Sequence, residues 1–221
     1  MKYFVLIYCI SVALGFGQLR IAKLKYGGGG DWYANESALP NLINFCNQQI
    51  STGIAPDGDV VDVGSTDLFL YPYVYMTGHG HFIFTDNEAQ NLRKYLLAGG
   101  FLHIDDNYGL DPYVRTEMKK VFPGLDFVEL PYTHPIYRGR FVFKDGLPKV
   151  HEHDGLRPQG FALIYQGRVL CFYSYESDLG NGWEDAEIYN DPPEIRQKAL
   201  QMGANIIAFV FARSRKVQAK K

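Results

Sequence analysis

Between positions 73 and 107 the hydrophobic pattern changes period twice. A continuous apolar run at 73–76 predicts a buried strand, and Thr77-Gly78-His79-Gly80 predicts a sharp turn after it. Ala89, Leu92, Tyr95 and Leu96 then recur at helical spacing, so 87–98 reads as an amphipathic helix laid on a sheet. Thr85 and Glu88 have the spacing of a capping box, and Gly99-Gly100 supplies the left-handed residue that ends a helix. A second apolar run, 101–104, closes the unit and ends in Asp105-Asp106-Asn107. Strand, crossover helix and strand make a βαβ unit with parallel strands, and such sheets gather ligands at the C-terminal ends of their strands.

The rest of the chain continues this alternation. Positions 19–26 read as a first strand followed by Gly27 to Gly30, and 39–50 as a helix with Leu42, Ile43, Phe45 and Cys46 on its apolar face. Val60, Val61 and Val63 form a short strand, and 68–71 a second short element. Asp111-Pro112 sets the start of a helix over 113–122, and 125–130 reads as a strand. A hairpin is expected from 161–165 and 169–173, a polar loop over 176–185, and a last helix over 194–212. With no internal repeat or linker, residues 18–221 are expected to form one α/β domain with a mostly parallel central sheet.

Composition narrows the classes of function. The chain has 221 residues and is 47% hydrophobic, enough for one sizeable core. Its formal charge of −2 and the lack of a basic stripe argue against nucleic acid. Lys2, an apolar run over 3–16 and the small-residue end Gly15-Phe16-Gly17 read as a signal peptide, 1–17, cleaved before Gln18. The run is shorter than a bilayer span, so the expected mature protein is periplasmic or secreted, with no membrane-spanning segment. Cys9 leaves with the signal, while Cys46 and Cys171 sit in apolar contexts and are read as buried free thiols.

Four constellations could carry chemistry. Asp105, Asp106 and Asn107 at a strand end could ligate a divalent metal, act as a base or bind hydroxyls, or they could cap the next helix. His151 and His153 would share one side of an extended segment and could hold a metal with Asp106, Asp105 or His134; the plainer alternative is a solvated loop. Gly78 lets the chain turn so that His79 reaches the crevice, whereas His103, inside a strand, is expected in the core. Asp178, Trp183 and Glu184 flank small residues and suit a loop closing over a ligand with Trp183 as a stacking plate; the alternative is a surface loop anchored by that ring. Asp31 and Trp32, after the glycine run, could add an acid and an aromatic wall. Ser174 and Ser177 lack nucleophile-elbow context.

The segments LKYGGGGDWYAN (24–35), YMTGHGHF (75–82), LRKYLLAGGFLHIDDN (92–107), and GRV with DLGNGWE within 167–184 resemble the bacterial domain of unknown function 4159 family. More distantly, AGGFLHIDD, THPIYRG (133–139) and GRVLCFYSY resemble the trehalose-utilisation-like branch of the class I glutamine amidotransferase-like fold. The second resemblance implies a three-layer, flavodoxin-like α/β domain and no particular activity. Amidotransferases of that fold carry a cysteine on a strand-to-helix turn where this chain has Asp105-Asp106-Asn107, so thiolate chemistry is not expected. The leading expectation is an exported protein binding a small polar ligand, a carbohydrate or other envelope material. The alternatives are a metal-assisted hydrolase and an envelope scaffold.

Overall fold

A computed structural model describes residues 18–218; the expected signal peptide and Cys9 lie outside the described residues. The elements are β1 (Ala22–Lys25), α1 (Ala38–Ile50), β2 (Asp59–Asp62), a 3₁₀ turn (Thr66–Leu70), β3 (Val74–His79), α2 (Asp86–Ala98), β4 (Leu102–Tyr108) and α3 (Asp111–Val121). They continue with β5 (Val128–Glu129), a 3₁₀ turn (Pro135–Tyr137), β6 (Gln159–Tyr165), β7 (Arg168–Tyr175), α4 (Leu179–Trp183), α5 (Ala186–Tyr189) and α6 (Pro193–Gln218).

Seven strands form one sheet in the order β2-β1-β3-β4-β7-β6-β5. The five from β2 to β7 run parallel, while β6 is antiparallel to β7 and to β5. The β6–β7 hairpin turns on Gln166 and Gly167 at φ 49° and 73°, the pair of positive angles a type I′ turn requires. On the central unit, Thr85 and Glu88 complete the capping box reciprocally and Gly99 ends α2 at φ 123°.

Alternate strand residues feed two separate cores, which is how a buried strand serves both faces of a sheet. Val74, Met76, Leu102 and Ile104 join α2 and α3 on one face. Tyr73, Tyr75 and Phe172 join α1, α4 and α6 on the other. Cys46 and Cys171 are buried free thiols, both pushed upward in pKa by burial. None of the helices among the described residues is long and apolar enough to cross a membrane.

The second short element is a 3₁₀ turn that ends just before Tyr71-Pro72. Two expectations need correction. The strand expected over 125–130 shrinks to two residues at the sheet's edge, paired with β6. The strand expected to stop at 104 runs on to Tyr108, because Thr77 and Gly78 of β3 pair with Asp105 and Asp106 in register. The polar trio therefore lies within β4, and its members alternate between the two faces.

Candidate functional site

The C-terminal ends of β3, β4 and β7 and the turn into α4 carry more than half of the buried polar side chains. Asp105 belongs to a sealed network beneath α4. Its carboxylate accepts the backbone N–H groups of Leu179 (3.2 Å) and Gly180 (2.6 Å), the Tyr75 hydroxyl (3.3 Å) and the Ser174 hydroxyl. Behind Ser174, His103 sits between Ser174 Oγ (Nε2, 2.9 Å) and the Tyr73 hydroxyl (Nδ1, 2.8 Å). Burial pushes His103 down to about 3, so it is neutral: Tyr73 donates to Nδ1, and Nε2–H donates to Ser174. Burial raises Asp105 to about 6, opposed by its hydrogen bonds from Ser174 and the α4 backbone.

Asn107 belongs to the same sealed side. It exchanges amide hydrogen bonds with Asn35 (3.1 and 3.2 Å) and accepts from Thr77 (3.1 Å). None of Tyr73, Tyr75, His103, Asp105, Asn107 or Ser174 is exposed. A ligand cannot reach them without moving α4.

Asp106 points the other way. Its carboxylate accepts Leu110 N–H (2.9 Å) and the Tyr173 hydroxyl (3.1 Å), which anchors the turn into α3. It also lines a cavity of about 300 Å³ at the ends of β4 and β7. Tyr108 and Asp111 continue the wall from Asp106, and His153, Asp154, Tyr175 and Glu176 close it from the other side. The Tyr108 ring stacks on His153 (4.7 Å, 28°), and its hydroxyl donates to Asp154 (3.2 Å). Sequence reasoning missed Tyr108, Asp111, Tyr175 and Glu176 as wall residues. The adjacency of β4 and β7 brings them together, and the strand order is the signal that would have found them.

His153 and His151 meet at Asp178. His153 Nε2 is hydrogen-bonded to Asp178 Oδ2, and His151 Nδ1 lies 3.6 Å from the same oxygen. Asp178 is fully buried, with Oδ1 left without a partner. Burial, reinforced by Asp105 and Asp106, raises its carboxyl to about 9, and burial lowers His153. With its carboxyl raised in this way, Asp178 keeps its proton at neutral pH and donates to His153 Nε2. His151 turns away from the cavity toward Asp191 (3.0 Å), Asn181 (3.0 Å) and the Tyr189 ring.

This arrangement revises the metal expectation for His151, His153 and Asp106. Three of the four imidazole nitrogens are taken up by Asp178, Asp191 and Asn181, and among the described residues no group of three or more His, Cys, Asp or Glu side chains is placed to hold a metal ion. His134 is remote from the crevice. Its ring packs on Phe209, which also packs on Phe101 just before β4 begins, so it lies at the opposite end of the strands.

Trp183 is not a lid. It is fully buried, its indole N–H donates to Ala199 O (2.8 Å), and its ring packs against Tyr75 and His103. The small residues around it serve tight packing: a Cβ on Gly180 would meet Tyr75 Oη at 2.0 Å. Glu184 is buried and accepts from the Ser37 backbone (3.3 Å) and hydroxyl, tying α4 to the start of α1.

Asp31 and His79 do meet, as an exposed pair at the end of β3. The His79 backbone N–H donates to Asp31 Oδ1, and Nδ1 lies 2.9 Å from Oδ2. Gly78 is required by close approach, because a Cβ there would meet Tyr26 Oη at 2.2 Å. The Gly27–Gly30 turn has a similar cause: Gly27 pairs with Ile83, and a Cβ on Gly28 would lie 2.5 Å from Ile83 N. Trp32 sits on a separate flank. With Tyr33, Glu36 and Lys23 it borders a second cavity of about 360 Å³ beside β2. Lys23 is nearly buried there, giving its ammonium to Ala34 O (2.7 Å) and Asn35 O (2.8 Å).

A comparison with curated proteins finds no match. The family model described as a domain of unknown function (DUF4159) matches residues 20–211, which include every strand of the sheet, both walls of the β4–β7 cavity and the sealed network beneath α4. The chain belongs to the DUF4159 family.

Proposed function

We propose that this protein binds a small polar ligand in the cavity at the C-terminal ends of β4 and β7. The observation that carries the reading is the wall itself. In about 300 Å³ it joins two tyrosine rings, a histidine and four carboxyl groups, at the end of a parallel sheet where α/β proteins place ligands. Carboxylates accept hydroxyl and amine hydrogens, and tyrosine faces stack on the apolar side of a sugar ring, so a carbohydrate or related envelope material fits. The architecture belongs to the same proposal: parallel strands in the order β2-β1-β3-β4, with helices serving both faces, favour a three-layer flavodoxin-like domain of the glutamine amidotransferase-like type. Export follows from the apolar run and small-residue end of positions 1–17.

The test is saturation-transfer NMR of residues 18–221 with a panel of monosaccharides and short glycans, repeated on Tyr108→Ala. Tyr108 is 48% exposed, so the variant should fold. Binding that weakens about tenfold in the variant, ~1.4 kcal/mol, is expected. Binding of the whole panel that is indifferent to Tyr108 would place the ligand elsewhere.

A further inference from the structure

We infer that the β4–β7 cavity selects a positively charged ligand, an ammonium-bearing polyol such as an amino sugar, over its neutral and anionic counterparts. This rests on the proposal that the cavity is the binding site. It begins from a count of charges on the wall. Among the described residues no lysine or arginine lines the cavity. Two of its four acids are matched from outside it: Asp111 holds Arg115 (2.9 Å) and Glu176 holds Lys149 (2.7 Å). The other two, Asp106 and Asp154, have only neutral donors: Leu110 N–H and the Tyr173 hydroxyl for Asp106, and the Tyr108 hydroxyl for Asp154. Among the described residues neither has a lysine or arginine partner.

One further observation points into the same space. The Tyr175 hydroxyl is pushed upward by burial and then by Asp111, Glu176, Asp106 and Asp154 in turn, as expected of a hydroxyl that faces all four wall carboxyls. Negative potential therefore accumulates on the wall. An ammonium group relieves that potential. A carboxylate or phosphate adds to it, and a phosphate would find no basic side chain to receive it. Tyr108 and Tyr175 supply faces for the cation, and their stacking does not depend on a charged partner.

The experiment uses three probes that share one ring and differ in charge: glucosamine, glucose and glucuronate. Their affinities for residues 18–221 are measured by NMR titration at low ionic strength, at a pH where the amine is charged, and again with Asp154→Asn. The expected order is glucosamine first, by roughly tenfold over glucose, with glucuronate weakest. The preference for glucosamine over glucose should shrink severalfold in Asp154→Asn, whose parent side chain is exposed. Equal affinity for glucose and glucosamine, tighter binding of glucuronate, or a preference unmoved by Asp154→Asn would overturn the charge inference and leave the cavity proposal standing. Absence of binding by all three at tens of millimolar would remove the cavity proposal and this inference together.

Discussion

Asp105 and Asp106 are neighbours on one strand, yet they belong to two regions built on opposite principles. Asp105 faces the α4 side, where its carboxylate is fully buried and bonded by Tyr75, Ser174 and the backbone of α4. Asp106 faces the cavity, where the polar groups outnumber their partners and the wall stays open. Strand alternation alone separates them. A pair of adjacent acids is therefore not one site, and the member sealed beneath α4 serves the fold.

The comparison breaks most sharply at glycine. On the sealed side, Gly180→Ala drives a Cβ to 2.0 Å from Tyr75 Oη and 2.4 Å from Asn35 Nδ2, both buried. The expected loss is about 3 kcal/mol, since a packed network has nowhere to move. On the open side, Gly109→Ala lines the cavity at φ 78° with nothing nearer than 3.9 Å, so only the backbone strain remains, about 1 kcal/mol. Urea unfolding of the two variants should separate them by about 2 kcal/mol. Equal losses would mean that α4 is not clamped onto Asp105 as described.

The same contrast explains what was legible beforehand. The capping box at Thr85 and Glu88, the βαβ unit and the hairpin were readable because local rules govern them: a side chain bonded three residues away, a period of 3.6, a two-residue turn. His103 was readable as a core residue from its apolar neighbours. The ends of β4 and the fate of Trp183 were not. Polar residues 105–107 look like a loop because hydrophobicity falls, but pairing with β3 and β7 keeps them extended, and those partners are distant in sequence. DLGNGWE looks like an exposed loop because glycine and acids usually are. Here the glycines let a five-residue helix press against Tyr75 and Ala199, and Asp105 satisfies its N-terminus. His151 and His153 did meet, although over a buried carboxyl and not around an ion.

A change of pH probes the boundary between the regions, where Asp178 lies beneath His153. Its carboxyl, raised from 3.8 to about 9 by burial and by Asp105 and Asp106, holds its proton in the folded protein and loses it in the unfolded chain. That contribution is fully present below the unfolded value and is lost as pH rises toward 9. Between pH 7 and 9 an unfolded histidine is already neutral, so His153 does not offset the slope. Stability should fall across this window by at most about 1.4 kcal/mol per pH unit, and Asp178→Asn should flatten it. A wild-type curve with no such fall would mean that Asp178 is ionised in the fold and that the His153 pair is charged.

The smallest effect gives the cleanest comparison, because the same chemical change can be made once in each region. Tyr73→Phe removes the hydroxyl that donates to His103 Nδ1 at 2.8 Å, and no water can take its place in a site without exposure. The imidazole keeps a buried acceptor with no donor, which costs about 1–2 kcal/mol. Tyr108→Phe removes a hydroxyl that donates to Asp154 at 3.2 Å, but both residues are exposed and water replaces the bond. Its ring still stacks on His153, so the expected change is within about 0.5 kcal/mol. Thermal and urea unfolding of the pair decide the matter. If Tyr73→Phe proved as harmless as Tyr108→Phe, the chain from Tyr73 through His103 and Ser174 to Asp105 would not be a sealed structural network, and the buried side of β4 would have to be considered accessible.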